Sequence, residues 1–172
     1  MIDPGFLDDT LVPGPAFETN LAIFGASGDL MRRKLAPALF NLEAEGRLPE
    51  GLAIIAFARR DFSDADYVAS LESDCARFLA ERPGERAFSP EVWKRLAARI
   101  HYHRGDFSDA RSFASLANRY FNGTPRNGIF YLACAPAAFA PVASNLASAG
   151  LGSSGRPFFN AGPYRRLVVE KP

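Results

Sequence analysis

Apolar residues fall along this chain in short unbroken runs separated by stretches with helical spacing. The first run, at 21–24, leads into two glycines three apart, Gly25 and Gly28, and then into apolar positions at Leu35, Leu39 and Leu42 with Ala38 beside them. The pattern predicts strand, tight turn and a helix over 30–45 that buries this i, i+4, i+7 face. Gly46 stops the helix, and Pro37 within it predicts a kink or a loosened turn because proline has no N–H to give. The continuous apolar run 52–58 predicts a parallel strand covered on both faces. Ser63 then opens a helix to about residue 82, with Tyr67, Leu71, Phe78 and Leu79 turned inward. Pro83-Gly84 breaks it. Ser89-Pro90-Glu91 reads as an N-cap with proline at the first helical position, starting a short helix to residue 99. A third strand at 100–103 follows, then a helix begun by Ser108 with Phe113, Leu116 and Tyr120 inward. A fourth strand at 128–133, a helix at 139–149 and a fifth strand at 165–170 complete the pattern. Strands alternating with helices predict parallel βαβ units in a doubly wound α/β sheet with helices on both faces.

The 172 residues suit one domain with its own core, and 48% hydrophobic with 23% charged content is that of an ordinary globular chain. Residues 1–19 have no periodicity and read as a flexible leader, leaving 20–172 as the domain. A formal charge of +1 predicts no nucleic-acid partner and no attraction to an acidic membrane surface. The most apolar window, 129–151, contains Pro136, Pro141 and Asn145 among many alanines and serines, and reads as strand plus helix, not a membrane span. No secretory pattern opens the chain, and Cys75 and Cys134 lack the spacing of a disulfide or zinc framework. A cytoplasmic setting with inert thiols is the expectation.

The chemistry gathers at the glycine turn. Without β-carbons, Gly25 and Gly28 let the backbone turn sharply and approach a ligand, while free N–H groups at a helix start favour an anion such as phosphate. A strand–turn–helix of this kind resembles a Rossmann-like dinucleotide site, although Met31 stands where that fingerprint packs a small residue and predicts looser packing of helix on strand. A ligand-free glycine turn is the alternative. An NAD-specific site places an acid about 20 residues past the glycines to hold the ribose 2′-OH. Here the second strand ends in Ala58-Arg59-Arg60, with no acid before Asp61. Two guanidiniums suit a 2′-phosphate, which predicts NADP over NAD. Asp29 falls where a carboxylate favours the helix dipole without any catalytic role. His101 and His103 share one strand face but lack a third metal ligand, so no metal site is predicted; they read as surface or edge histidines. No Ser-His-Asp or Cys-His arrangement is legible.

Gly25-Ala26-Ser27-Gly28-Asp29-Leu30, followed by Arg33-Lys34-Leu35 and Pro37-Ala38-Leu39, resembles the coenzyme-binding start of the glucose-6-phosphate dehydrogenase family. Ala58-Arg59, then Tyr131-Leu132-Ala133 with Pro136 and Phe139, and the terminal Glu170-Lys171-Pro172 extend the resemblance over 21–172 in the family's order. The resemblance implies that Gly25, Ala26, Ser27, Gly28, Asp29 and Leu30 line the pyrophosphate and ribose of NADP. It implies that Arg59, helped by Arg60, holds the 2′-phosphate, and that Ala133 and Pro136 border the coenzyme. Lys34 and Lys171 would face the phosphate of the substrate, glucose 6-phosphate, with Lys171 also near the coenzyme and Pro172 positioning one against the other. Ala135 departs from the proline that many members carry. The resemblance also implies a homo-oligomeric parent whose catalytic base lies in a further domain after Glu-Lys-Pro, so no catalytic residue and no turnover are expected of these residues alone. A non-catalytic NADP-binding module and a dehydrogenase of another phosphorylated sugar remain the alternatives.

Overall fold

A computed structural model of the chain describes residues 17–81, 86–152 and 163–170. Most of the expected leader, the Pro83-Gly84 break, Lys171 and Pro172 lie outside these residues. Five strands form one parallel sheet in the order β3-β2-β1-β4-β5. They are β1 (Thr19–Phe24), β2 (Leu52–Ala58), β3 (Ile100–Arg104), β4 (Asn127–Leu132) and β5 (Arg165–Val169). The helices are α1 (Ala36–Ala44), α2 (Asp64–Ala80), α3 (Pro90–Ala97), α4 (Ala110–Tyr120) and α5 (Phe139–Ser148).

Alternation along each strand divides the core in two. Ile23, Ile54, Ala56, Ile100 and Tyr102 pack on one side with residues of α1, α2 and α3. Ala22, Phe24, Ile55, Phe57, Phe130 and Leu132 pack on the other with α4 and α5. The period-2 geometry of a strand sends neighbours to opposite faces, and burial of both faces explains the unbroken apolar runs. Successive strands step outward from β1 through β2 to β3, then restart on its other side at β4. The connections leaving β1 and β4 therefore run to opposite sides of the sheet, the switch point where such sheets form a crevice.

The helix after the glycine turn differs from a uniform α-helix. Residues Met31–Leu35 are in π register, closed by the Ala36 N–H donating to the Met31 carbonyl, and α1 follows with Pro37 in its first turn. Proline cannot donate to the carbonyl four residues back, and the wider turn sits immediately before it. The expected loosening at Pro37 is thus present as a π turn. Ala36, Phe40 and Glu43 are buried, one position on from the expected Leu35, Leu39 and Leu42; of these only Leu39 is buried. Met31 is completely buried among Ile23, Ala26 and Phe40, so the looser packing expected of it is not found. Gly46, at φ +66°, closes α1 with the Gly46 and Arg47 N–H groups donating to the carbonyls of Glu43 and Leu42.

Two further expectations change. On α2 the inward row is Tyr67, Leu71, Cys75 and Leu79. Phe78 stays half-exposed beneath the guanidiniums of Arg77 and Arg33, 4.3 and 5.5 Å from its ring centre. The cap of α4 is Asp109, whose side chain accepts the Arg111 N–H, because the Ser108 hydroxyl is already donated to Asp106 at 2.6 Å. Ser63 and Ser89 cap α2 and α3 as expected. Among the described residues no helix is long and apolar enough to cross a membrane; the 129–151 window falls on β4 and α5.

Candidate functional site

The glycine turn leaves β1 at the crevice and is anchored to the neighbouring strand. The carbonyl of Phe57, near the end of β2, accepts the N–H groups of both Gly25 (3.0 Å) and Ala26 (3.2 Å). Gly28 N–H closes the turn onto the Gly25 carbonyl at 2.8 Å. Gly25 has φ +92°, and a β-carbon there would stand 2.4 Å from the Ala133 carbonyl oxygen beyond β4. Only glycine meets both conditions. The helical backbone begins at 29, so the N–H groups of Asp29 and Leu30 open a helix with no earlier turn to accept them. Ser27, Gly28 and Leu30 are half-buried and Asp29 is exposed, its carboxylate 3.7 Å from Arg33. Ala26 is buried.

Arg59 and Arg60 follow β2 directly, exposed at the same end of the sheet. Neither is engaged in an ion pair with a described residue. Asp61, the first acid after them, instead pairs with Arg104 at the end of β3, at 3.2 Å. Arg59 lines a groove of about 440 Å³ with Asp106, Phe107, Ser108, Ala135, Ala137, Ala138 and Pro141, between the β3–α4 and β4–α5 loops. The hydroxyl and N–H of Ser108 hold the Asp106 carboxyl below the usual carboxylate range. Ala133 follows β4 directly and lies beside Gly25, and Pro136 opens an exposed single turn of 3-10 helix, Pro136–Ala138.

The turn, the two arginines, Ala133 and Pro136 thus meet at one end of the sheet. Lys34 projects from the exposed side of the π segment and makes no ion pair among the described residues. Lys171, assigned to both coenzyme and substrate, lies outside the described residues. Glu170 of the terminal motif follows β5 and accepts a hydrogen bond from the Tyr131 hydroxyl; burial and that carboxylate push the phenol up to about 12.

The histidines do not join this site. β3 is an edge strand, yet His103 is only 4% exposed, so a surface position for it is overturned. It stacks on Phe57, and α4 covers it with Tyr120 and the Ser112 carbonyl. His101 lines a separate cleft with Asn20, Ala53, Arg119, Tyr120 and Arg126, near the amino ends of the strands.

Two residues with unforeseen roles complete the local architecture. Tyr67 of α2 is buried and donates its hydroxyl to the Ala26 carbonyl at 2.8 Å. Tyr102 of β3 donates to the Arg60 carbonyl at 2.6 Å, with that of Ala58 at 3.3 Å. Periodicity marks Tyr67 as inward; the only sign of a further role is a hydroxyl at an apolar position, which needs a partner once buried.

A doubly wound parallel sheet with a glycine turn at its switch point defines a dinucleotide-binding α/β domain. Residues 22–172 match the profile of "Glucose-6-phosphate dehydrogenase, NAD binding domain". The chain is 35% identical over 163 residues to a glucose-6-phosphate 1-dehydrogenase of Chlamydia muridarum, covering 88% of this chain and 30% of that protein. It is 34% identical to glucose-6-phosphate 1-dehydrogenase 2 of Mycobacterium tuberculosis, covering 95% and 31%. A crystal structure of the Mycobacterium avium glucose-6-phosphate 1-dehydrogenase superposes with a TM-score of 0.67 at 30% identity, over 77% of this chain and 27% of that one. A glucose-6-phosphate dehydrogenase solved with its substrate glucose 6-phosphate gives 0.67 at 29% identity, over 91% and 31%. The chain therefore belongs to the glucose-6-phosphate dehydrogenase family through its NAD-binding domain, and spans about 30% of the length of the relatives it matches. Its cofactor class is a nicotinamide dinucleotide.

Proposed function

We propose that this chain is the coenzyme-binding part of an NADP-dependent dehydrogenase that oxidises glucose 6-phosphate to 6-phosphoglucono-lactone. The observation that carries the coenzyme choice is the arrangement after β2. Arg59 and Arg60 are exposed and without ion-pair partners among the described residues, and the next acid in the sequence, Asp61, is held by Arg104. A 2′-phosphate would find two guanidiniums there, while the one carboxylate lining the Arg59 groove, Asp106, is engaged by Ser108. The residues also fit the rest of the group. The N–H groups opening the helix at 29 suit a pyrophosphate, and Gly25, Ala26, Ser27, Gly28, Asp29 and Leu30 form its cradle. Ala133 and Pro136 form the opposing wall.

When bound, the coenzyme would supply the acceptor for a hydride from C1 of the sugar. The chain's own residues would hold and orient it, while Lys34 and Lys171 would attract the sugar phosphate as point charges. The C1 hydroxyl must also lose a proton to a base. His103 is enclosed and His101 faces the amino ends of the strands, so neither described histidine is placed to take it. The base is assigned to a part of the protein beyond these residues. Two free thiols suit a reducing, cytoplasmic setting.

A thermal-shift titration with NADP⁺ and NAD⁺ in parallel tests the reading. A ligand that binds only the folded chain adds roughly 2.7 kcal/mol at a hundredfold excess over Kd. A larger rise with NADP⁺ that shrinks in Arg59→Ala is the expected result. Equal shifts with both coenzymes, unchanged by the substitution, would overturn the choice of NADP.

A further inference from the structure

We infer that Tyr67 and Tyr102 are a coupled pair of positioning residues that set the glycine turn and the arginine-bearing loop in mutual register for the dinucleotide. The inference rests on the coenzyme site proposed above. Both rings are 97% enclosed, at 3% exposure each, and pack with centroids 4.8 Å apart. Their hydroxyls diverge to the two halves of the site, Tyr67 to the carbonyl of Ala26 and Tyr102 to that of Arg60. Phe62, from the loop carrying the arginines, sets its ring edge-on to both, at 6.1 and 5.6 Å.

Each hydrogen bond has a directional consequence. A peptide unit is planar and trans, so its N–H points opposite to its C=O. Holding the Ala26 carbonyl toward α2 turns the Ser27 N–H to the other side of the turn, where an anion would sit. Holding the Arg60 carbonyl toward β3 pins the backbone from which the Arg59 and Arg60 side chains leave. Tyr102 is also fixed through its backbone, whose N–H donates to the Asp64 carboxylate at 2.8 Å. Each hydroxyl is engaged by a backbone carbonyl, and burial raises both phenols above the ordinary tyrosine value, keeping them protonated donors. Their contribution is preorganisation: peptide groups already aimed before a ligand arrives lose less freedom on binding.

The test is calorimetric titration of the 172-residue chain with NADP⁺ and, separately, NAD⁺, for the unsubstituted protein, Arg59→Ala, Tyr67→Phe, Tyr102→Phe and the double Phe variant. Phenylalanine keeps the rings and their packing, and each titration is run well below that variant's melting midpoint. Tyr67→Phe is expected to weaken both coenzymes alike, about three- to tenfold, since both carry the pyrophosphate and one net hydrogen bond is of that size. Tyr102→Phe is expected to weaken NADP⁺ by a similar factor and NAD⁺ less, lowering the ratio of the two affinities. The double variant should lose less than the product of the single losses, because the pair acts through shared packing. A merely structural role would lower melting temperatures while leaving dissociation constants and their ratio unchanged, and that result overturns the inference. If the unsubstituted chain binds NADP⁺ in an Arg59-dependent way and the Phe variants match it, only the inference fails. If it binds neither coenzyme, the proposed site fails with it.

Discussion

The α-carbon of Gly25 sits against the carbonyl of Ala133, so that a β-carbon built on it would lie 2.4 Å from the oxygen and 3.0 Å from its carbon. The obstruction is the backbone of the residue directly after β4, which cannot move without disturbing the strand end that carries it. The positive φ of +92° adds strain for any other residue. Gly25→Ala is therefore expected to destabilise the fold by about 2–5 kcal/mol, combining overpacking with backbone strain. Gly28 has ordinary φ, and its nearest obstruction is the Gly25 carbonyl at 3.0 Å. Gly28→Ala is expected to cost less than about 2 kcal/mol, with its main effect on coenzyme affinity. Urea unfolding of both variants checks the order; equal losses would contradict it.

The Arg104–Asp61 pair is exposed on both sides, at 63% and 81% of side-chain area, and contributes under about 1 kcal/mol to stability. Its effect on ligand choice is expected to be larger. Asp61→Asn removes a negative charge from beside the arginines and releases Arg104 toward the same region. NADP⁺ affinity should rise a few-fold relative to NAD⁺, more at low salt than at high, because exposed charges are screened. Competition titrations at two ionic strengths test this, and an unchanged ratio would count against a 2′-phosphate at this position.

Much of this architecture is legible in the sequence because burial on both faces writes itself into composition. The apolar run of β2, Leu52–Ala58, has the bounds its pattern predicts, and the glycine turn falls where β1 ends. Errors arise where an effect is not periodic. Leu35, Leu39 and Leu42 do share a face, but it lines a groove with Leu21 and Tyr131 and only Leu39 is buried, while Ala36, Phe40 and Glu43 are enclosed. Ser108 carries the signature of a cap, but its hydroxyl serves the nearer Asp106, and the cap passes to Asp109. The enclosure of His103 depends on α4 crossing the edge strand, a tertiary fact without local trace. The same holds for the meeting of the Tyr67 and Tyr102 rings from separate elements.

Glu43 is a buried carboxylate, 6% exposed, held by the Nε groups of Arg95 (3.1 Å) and Arg99 (3.2 Å). Arg99 also donates to the carbonyls of Pro49 and Glu50, so this cluster ties α1 and the end of α3 to the loop entering β2. Glu43→Ala is expected to cost about 1.5–3 kcal/mol, the range for hydrogen bonds to charged groups. Arg95→Ala, which removes an exposed partner and leaves Arg99 in place, should cost under about 1 kcal/mol. Chemical denaturation distinguishes them; equal costs would mean that Glu43 gains nothing from Arg99.

His103 ties the folding equilibrium to pH. Burial, the largest cause, holds its imidazole below the ordinary value of 6.5; the hydrogen bond to the Ser112 carbonyl opposes this and the nearby Arg119 guanidinium reinforces it. The Ser112 carbonyl can only accept, so the Nε2 atom at 3.2 Å carries the proton of the neutral ring. The unfolded chain takes up a proton on this residue as pH falls through 6.5, while the folded chain does not until a lower pH. Stability from this group is therefore complete above the ordinary value and is lost as pH drops below it, levelling once the folded ring is also protonated. Phe57 and Tyr120 pack against the ring and stay uncharged over this window. His103→Phe keeps an aromatic ring against Phe57 and removes the titration. Urea midpoints at about pH 7.5 and about pH 5.5 should fall for the unsubstituted chain, and the fall should shrink in His103→Phe. An identical decline in both would assign the loss to other groups.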